Sequence, residues 1–154
     1  MSLAVQFDTI SELFHNAYQK YSGHNKTIFA YKPGPNDPYK EINWDKFHAD
    51  VYNLAAYYVE QGMKPGDRAA ILSENRYEWA VFDMALQIIG GINVSLYATL
   101  PPNQCSYILK DSGSKLFFVS TSIQLKKAIE IFDECKDTTQ VIAFDNPQNK
   151  SMLD

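Results

Sequence analysis

Apolar residues recur at Ile10, Leu13, Phe14, Ala17, Tyr18 and Tyr21. That spacing lays one apolar stripe along a helix. Thr9 and Glu12 stand at capping-box separation ahead of it, and Ser22-Gly23 ends it. Two short extended runs follow, Thr27–Lys32 and Tyr39–Trp44, separated by Pro33-Gly34-Pro35-Asn36-Asp37-Pro38. Three prolines and a glycine in that intervening segment make it a loop. The pair therefore reads as a β-hairpin with a long tip, apart from any later sheet. A second helix begins near Asn43 or Trp44, carries Trp44, Phe47, Val51, Leu54, Ala55 and Tyr58 on one face, and stops at Gly62.

After the turn Lys64-Pro65-Gly66-Asp67 the pattern changes. Ala69–Leu72 is a continuous apolar run, the mark of a strand covered on both faces. Asn75 and Glu78 stand at capping spacing before a helix that is apolar nearly all round from Trp79 to Ile89, and that composition predicts deep burial. Gly90-Gly91 ends it, and Ile92–Tyr97 is the next strand. Pro101-Pro102 suits the first turn of a helix running to Ser112-Gly113. Leu116–Val119 is a strand. Ser120-Thr121-Ser122 caps a helix bearing Leu125, Ala128, Ile129 and Phe132, Gln140–Phe144 is a fourth strand, and Asp145-Asn146-Pro147 is a turn. From Arg68 onward the order is β-α-β-α-β-α-β. Each crossover is long enough for a helix, so the strands should be parallel and the crossovers right-handed. The expected fold class is α/β: a parallel β-α-β sheet preceded by an N-terminal helix and a β-hairpin. Residues 1–154 read as a single domain, with Gln148–Asp154 a loose polar tail and Met1-Ser2-Leu3 set aside as a leader.

Composition narrows the class without naming a chemistry. The 154 residues are 45% hydrophobic and 21% charged, a balance that belongs to a folded chain. A net charge of -4 argues against nucleic acid as a partner. Cys105 and Cys135 provide neither a disulfide framework nor metal-ligand spacing. No apolar run reaches the roughly 18 residues of a membrane span, and no signal peptide opens the chain. These features place the protein in the cytoplasm.

Sheets of this kind bind ligands at the carboxyl ends of their strands. None of the strand-to-helix turns carries G-x-G-x-x-G or a G-x-x-x-x-G-K-[ST] phosphate loop. Ser73 occupies the position of a hydrolase nucleophile, yet Leu72 and Glu74 replace the small neighbours that elbow needs. Ser120, Thr121 and Ser122 could hold an anion at a helix start, but capping accounts for them. Asp145 follows a strand without a second acidic group to share a metal, so it reads as a turn residue. His15, His24 and His48 lack metal-ligand partners at helical spacing, and Cys105 lacks a histidine partner.

One set of segments is more specific. Gly66–Trp79 reads GDRAAILSENRYEW, Ala85–Pro102 reads ALQIIGGINVSLYATLPP, and Gln104–Val119 reads QCSYILKDSGSKLFFV, with Ile42-Asn43-Trp44-Asp45-Lys46-Phe47 upstream. In order and spacing these resemble the N-terminal part of adenylate-forming acyl-CoA synthetases, above all the long-chain fatty-acid CoA ligases. The resemblance covers essentially the whole ordered chain. Tyr77 and Ser95 stand where that family usually has proline, and Gly91 stands for a common alanine.

The resemblance implies a parent reaction in which a fatty acid attacks ATP to give an acyl-adenylate, which CoA then converts to acyl-CoA and AMP. It implies ATP, magnesium and CoA as the parent's cofactors and a fatty acid as its substrate. The parent would be cytoplasmic, with peripheral attachment to a membrane. The family's phosphate loop, ribose-binding aspartate and catalytic lysine lie downstream of these motifs. No catalytic or metal residue is therefore carried over, no cofactor is expected to bind this chain, and it should be inactive alone. The weak candidates for cofactor contact are Ser73, Glu74, Asn75 and Arg76. Against that stands a structural reading, in which Asn75 caps the next helix and Arg76 forms a salt bridge. Truncation would leave a face uncovered and favour self-association. The alternative is a stand-alone α/β binding or regulatory module that reuses this subdomain. A flavodoxin-like or receiver domain is disfavoured by the extra N-terminal helix and hairpin.

Overall fold

Thr9 closes the first turn of α1 (Ile10–Tyr21), its hydroxyl accepting from the Glu12 N–H at 3.1 Å. Glu12 completes the cap one residue early, since its carboxylate accepts from the Asp8 N–H at 2.8 Å. The structure, a computed structural model, describes residues 5–24, 26–34 and 36–145. Strands β1 (Thr27–Tyr31) and β2 (Lys40–Asn43) pair antiparallel as a separate two-stranded sheet, with a register shift between Thr27 and Phe29. Asn43 then caps α2 (Trp44–Glu60), its side-chain oxygen accepting from the Lys46 N–H at 2.9 Å.

The remaining elements are β3 (Arg68–Ser73), α3 (Tyr77–Ile89), β4 (Ile92–Tyr97), α4 (Pro102–Ser112), β5 (Leu116–Val119), α5 (Ser122–Ile131) and β6 (Gln140–Ala143). The strands form one parallel sheet in the order β4-β3-β5-β6. The chain moves one way from β3 to β4, then back past β3 to β5. Right-handed crossovers in opposite directions must lie on opposite faces. Accordingly α2 and α3 cover one face with α1 outside them, and α4 and α5 cover the other. Alternation along the central strands feeds both layers: Ile71 and Phe118 point to the first, Leu72 and Phe117 to the second.

Three expectations change in detail. The N-cap of α3 is Arg76, with no side-chain capping bond, and not Asn75. The helix begins one residue later than the Asn75–Glu78 spacing implies, because the Arg76 side chain folds back onto Glu78. Only Tyr77, Val81, Phe82, Ala85 and Leu86 of α3 are buried, while Trp79, Ala80, Met84, Ile88 and Ile89 stay half-exposed. The parallel sheet and α2 cover one side of this helix, while among the described residues its ends meet only the hairpin, through Phe29 on Tyr77, and α1, through Ser11 on Gln87. On α5 the inward residues are Gln124, Ala128 and Ile131, at i, i+4 and i+7, leaving Ile129 exposed. The expected turn at Asn146-Pro147 and the tail from Gln148 lie outside the described residues.

Tyr77 opens α3 at its first position, where proline is favoured in helices generally. Its hydroxyl donates to Asp50 Oδ2 of α2 at 2.7 Å, and Asp50 also pairs with Lys46 at 3.2 Å. Burial first, then the neighbouring Asp50, pushes the phenol well above its ordinary pKa. A proline there would fix φ but could not tie α3 to α2. Tyr77→Phe keeps the ring and leaves the buried Asp50 short of one donor. It should cost about 1–3 kcal/mol in urea unfolding, and a loss below a few tenths would show that water replaces the phenol.

Candidate functional site

The reversal of strand order puts the topological switch point between the carboxyl ends of β3 and β5. Ser73 and Glu74 leave the first strand there, and Ser120 and Thr121 leave the second. Glu74 holds the two ends together. Ser120 Oγ donates to one carboxylate oxygen, and Gln124 Nε2 donates to the other at 2.8 Å. Gln124 Nε2 also reaches the Ala98 carbonyl at 3.1 Å, and Lys127 Nζ donates to the carbonyls of Ala98 and Leu100 at 2.8 and 2.9 Å. Helix α5 thus clamps both the β3 end and the loop after β4. Burial alone would raise the Glu74 carboxyl. The bonds from Ser120 and Gln124, with Arg76 nearby, outweigh that and hold it below its ordinary value.

Arg76 ties in the far strand. Its Nε and Nη2 donate to the two oxygens of Glu78 at 2.7 and 2.8 Å, and Nη2 also donates to Asp145 Oδ1 at 2.9 Å. The guanidinium lies over the Phe144 ring, 5.6 Å from its centroid. Asp145 is therefore more than a turn residue, since it joins the end of β6 to the start of α3. Asn75 lines the rims of two adjoining clefts. Ser73 turns its hydroxyl onto the Glu74 carbonyl at 2.7 Å, which is no nucleophile geometry.

Those clefts differ in charge. One, of about 490 Å³, lies between the hairpin and the strand ends and is lined by Lys32, Lys40 and Arg76 against Glu74, Glu78 and Asp145. The other, of about 570 Å³, is lined by Ser73, Asn75, Trp79, Ser95, Leu96 and Tyr97 with Ala98 and Thr99, and by no charged side chain. Away from the switch point, His48 stacks on Tyr18 with centroids 3.8 Å apart and meets Tyr52 at a tilt, 4.5 Å away. Cys105 and Cys135 are buried, and burial pushes the Cys105 thiol up, away from a reactive thiolate.

All of these residues fall inside a stretch, 14–154, that matches the sequence model of the family described as AMP-binding enzyme. The chain belongs to the AMP-binding enzyme family. The long-chain-fatty-acid–CoA ligase ACSBG1 of Rattus norvegicus is 26% identical over 144 residues, which are 94% of this chain and 19% of that protein. The uncharacterised protein Rv1549 of Mycobacterium tuberculosis is 31% identical over 84 residues, 54% of this chain and 46% of that protein. The crystal structure of the anthranilate CoA ligase AuaEII, in complex with anthranoyl-AMP, superposes with a TM-score of 0.78 at 16% identity, over 91% of this chain and 25% of that one. The chain thus spans about a fifth of the length of the ligase ACSBG1. The likeness to AuaEII is one of fold.

Within this family fold the four candidates separate. Glu74 and Arg76 form the switch-point network, Ser73 stays in its own turn, and Asn75 sits between the clefts. Positive and negative side chains around the charged cleft balance, and Arg76 is committed to Glu78 and Asp145. Gln124 and Lys127 are absent from any sequence reading of the site. The spacing of Thr121 and Gln124 signals a capping box, and Thr121 does accept from Gln124 N at 3.5 Å. The Gln124 side chain goes instead to Glu74, a contact between residues fifty positions apart.

A pH dependence follows. A carboxyl held below its ordinary pKa, 4.5 for Glu74, stabilises the fold fully above that value and loses the contribution as pH falls through the lower folded value. Glu74→Gln should lower stability at neutral pH and lose less than the parent chain between about pH 5 and about pH 3. Urea midpoints across that range test it, and parallel curves for the two proteins would contradict it.

Proposed function

We propose that this chain is the N-terminal section of a long-chain fatty-acid CoA ligase and does not turn over alone. The parent reaction joins a fatty acid to the α-phosphorus of ATP, releases pyrophosphate, and passes the acyl group from AMP to the CoA thiol. The run of motifs from Ile42 to Val119, inside the family match, carries this reading. ATP, magnesium, CoA and fatty acid are then ligands of the whole enzyme. Its setting is the cytoplasm, with peripheral attachment to a membrane; no described helix is long and apolar enough to cross one. Purified chain given ATP, magnesium, palmitate and CoA should release pyrophosphate no faster than a blank without protein. Acyl-adenylate above that blank would overturn the inactive reading.

The brevity of one relative favours a second reading. The 84 matched residues of Rv1549 already make up 46% of that protein. A stand-alone binding module would then be the function, and calorimetry against ATP, CoA and palmitate separates the two readings. The section of a ligase should show no saturable heat with any of them.

A further inference from the structure

The two clefts at the switch point are joined through one buried amide. Glu74 lines the charged cleft and Ala98 lines the uncharged one. Gln124 Nε2 donates to both, to Glu74 Oε1 at 2.8 Å and to the Ala98 carbonyl at 3.1 Å. An amide nitrogen has two hydrogens in one plane, so each acceptor takes one and none is spare. Gln124 is 3% exposed, and among the described residues its Oε1 is a buried side-chain oxygen with no hydrogen-bond partner. Buried polar groups normally find a donor, and leaving one bare costs stability. Glu74 and Ala98 alone therefore set the orientation of this amide, and turning it over breaks no bond at Oε1.

We propose that the Gln124 amide couples the charge on Glu74 to the loop after β4, so that neutralising the carboxylate in one cleft loosens the rim of the other. With Glu74 ionised, a charge-assisted bond holds Nε2 toward β3, and Ala98 is held with it. A proton on Glu74 Oε1 weakens that bond and turns an acceptor into a donor, while Ser120 goes on donating to Oε2. The bare Gln124 Oε1 is the acceptor that lacks a donor. Turning the amide over brings it to the carboxylic proton. Oε1 then also faces the Ala98 carbonyl, oxygen against oxygen, and Lys127 is left to hold the loop at Ala98 and Leu100. The amide thus has two discrete arrangements, as coupling between separate sites requires.

The groups around this relay are few. Glu74 faces Ser120 and Gln124, with Arg76 nearby, and shares its cleft with Lys32 and Lys40 of the hairpin and with Glu78 and Asp145. The loop meets the Lys127 ammonium and the Cys105 thiol, which donates to the Leu100 carbonyl at 3.9 Å. Glu78 and Asp145 both bond to Arg76, and Glu74→Gln leaves them in place, so that variant isolates the effect of Glu74. The coupling stands apart from the ligase reading, because its readouts involve no substrate.

Hydrogen exchange tests it. The Leu100 N–H donates to the Tyr97 carbonyl at 2.9 Å and reports the turn of the loop, while the Ile71 N–H reports the sheet. Between about pH 6 and about pH 3.5, the protection factor at Leu100 should fall on the order of tenfold further than that at Ile71. Glu74→Gln is neutral throughout. It should show the low Leu100 protection already at the upper pH, with no further change relative to Ile71. Gln124→Met keeps the length of the side chain without the amide, and should lose the pH response. Lys127→Met should lower Leu100 protection at both pH values and keep the response. Leu100 falling in step with Ile71, a full response in Glu74→Gln or Gln124→Met, or loss of the response in Lys127→Met would contradict the proposal.

Discussion

Phe118→Ala should remove about 3–5 kcal/mol from the unfolding free energy. Phe118 sits at the centre of β5 with no exposure, and Tyr58 of α2 and Phe82 of α3 meet it edge-on with centroids 5.7 and 5.0 Å away. Tyr58 and Phe82 also meet each other edge-on at 6.2 Å. One side chain therefore joins the sheet to both helices of that face. Deleting it loses the transfer energy of the ring and leaves a cavity that three rigid elements cannot collapse around. A single domain has about 5–15 kcal/mol in all, so the variant should unfold at a much lower urea concentration with a similar slope. Tyr107→Ala, at an exposed position on α4, should change stability by no more than about 0.5 kcal/mol. A loss below about 1 kcal/mol for Phe118→Ala would mean that α2 and α3 do not share this core.

That core was legible in the sequence because its signals are local. The apolar run Ala69–Leu72, the glycines after α3 and α4, and Pro102 at the start of α4 each act over a few residues, and each falls where the structure has the matching feature. Position 90 needs its glycine, with φ at +70° and a Cβ that would stand 3.3 Å from Pro65. The switch point could be placed for the same reason: strand ends are visible wherever strands are. Its wiring could not. Glu74 meets Gln124, and Arg76 meets Asp145, through tertiary contacts between segments that no periodicity connects. The capping signal at Asn75 misled for a related reason. Spacing records what a side chain could do locally, and at this helix the Arg76–Glu78 pair makes the first-turn contact instead.

Arg76→Ala is the second large effect, and the more informative one. The guanidinium is 22% exposed, and Glu78 beneath it is 12% exposed. Removing it takes the two-pronged guanidinium contact from the Glu78 carboxylate and releases Asp145. Breaking a fully buried pair costs 3–5 kcal/mol. Solvent reaches this one, so about 2 kcal/mol is the expected loss. Arg76→Lys should recover only part of that, because an ammonium cannot match both Glu78 oxygens while also reaching Asp145. Asp145→Ala alone should cost less than about 1 kcal/mol, as its side chain is 38% exposed. The location of the damage separates a local pair from a tie between elements. The Phe144 and Asp145 N–H groups donate to the Val119 and Ser120 carbonyls, closing the end of β6 onto β5. If Arg76 anchors that end, hydrogen exchange at these two amides should accelerate in Arg76→Ala while the Ile71 amide stays protected. If exchange is unchanged and only the melting temperature falls, Arg76 supports the start of α3 through Glu78 and the link to β6 carries no load.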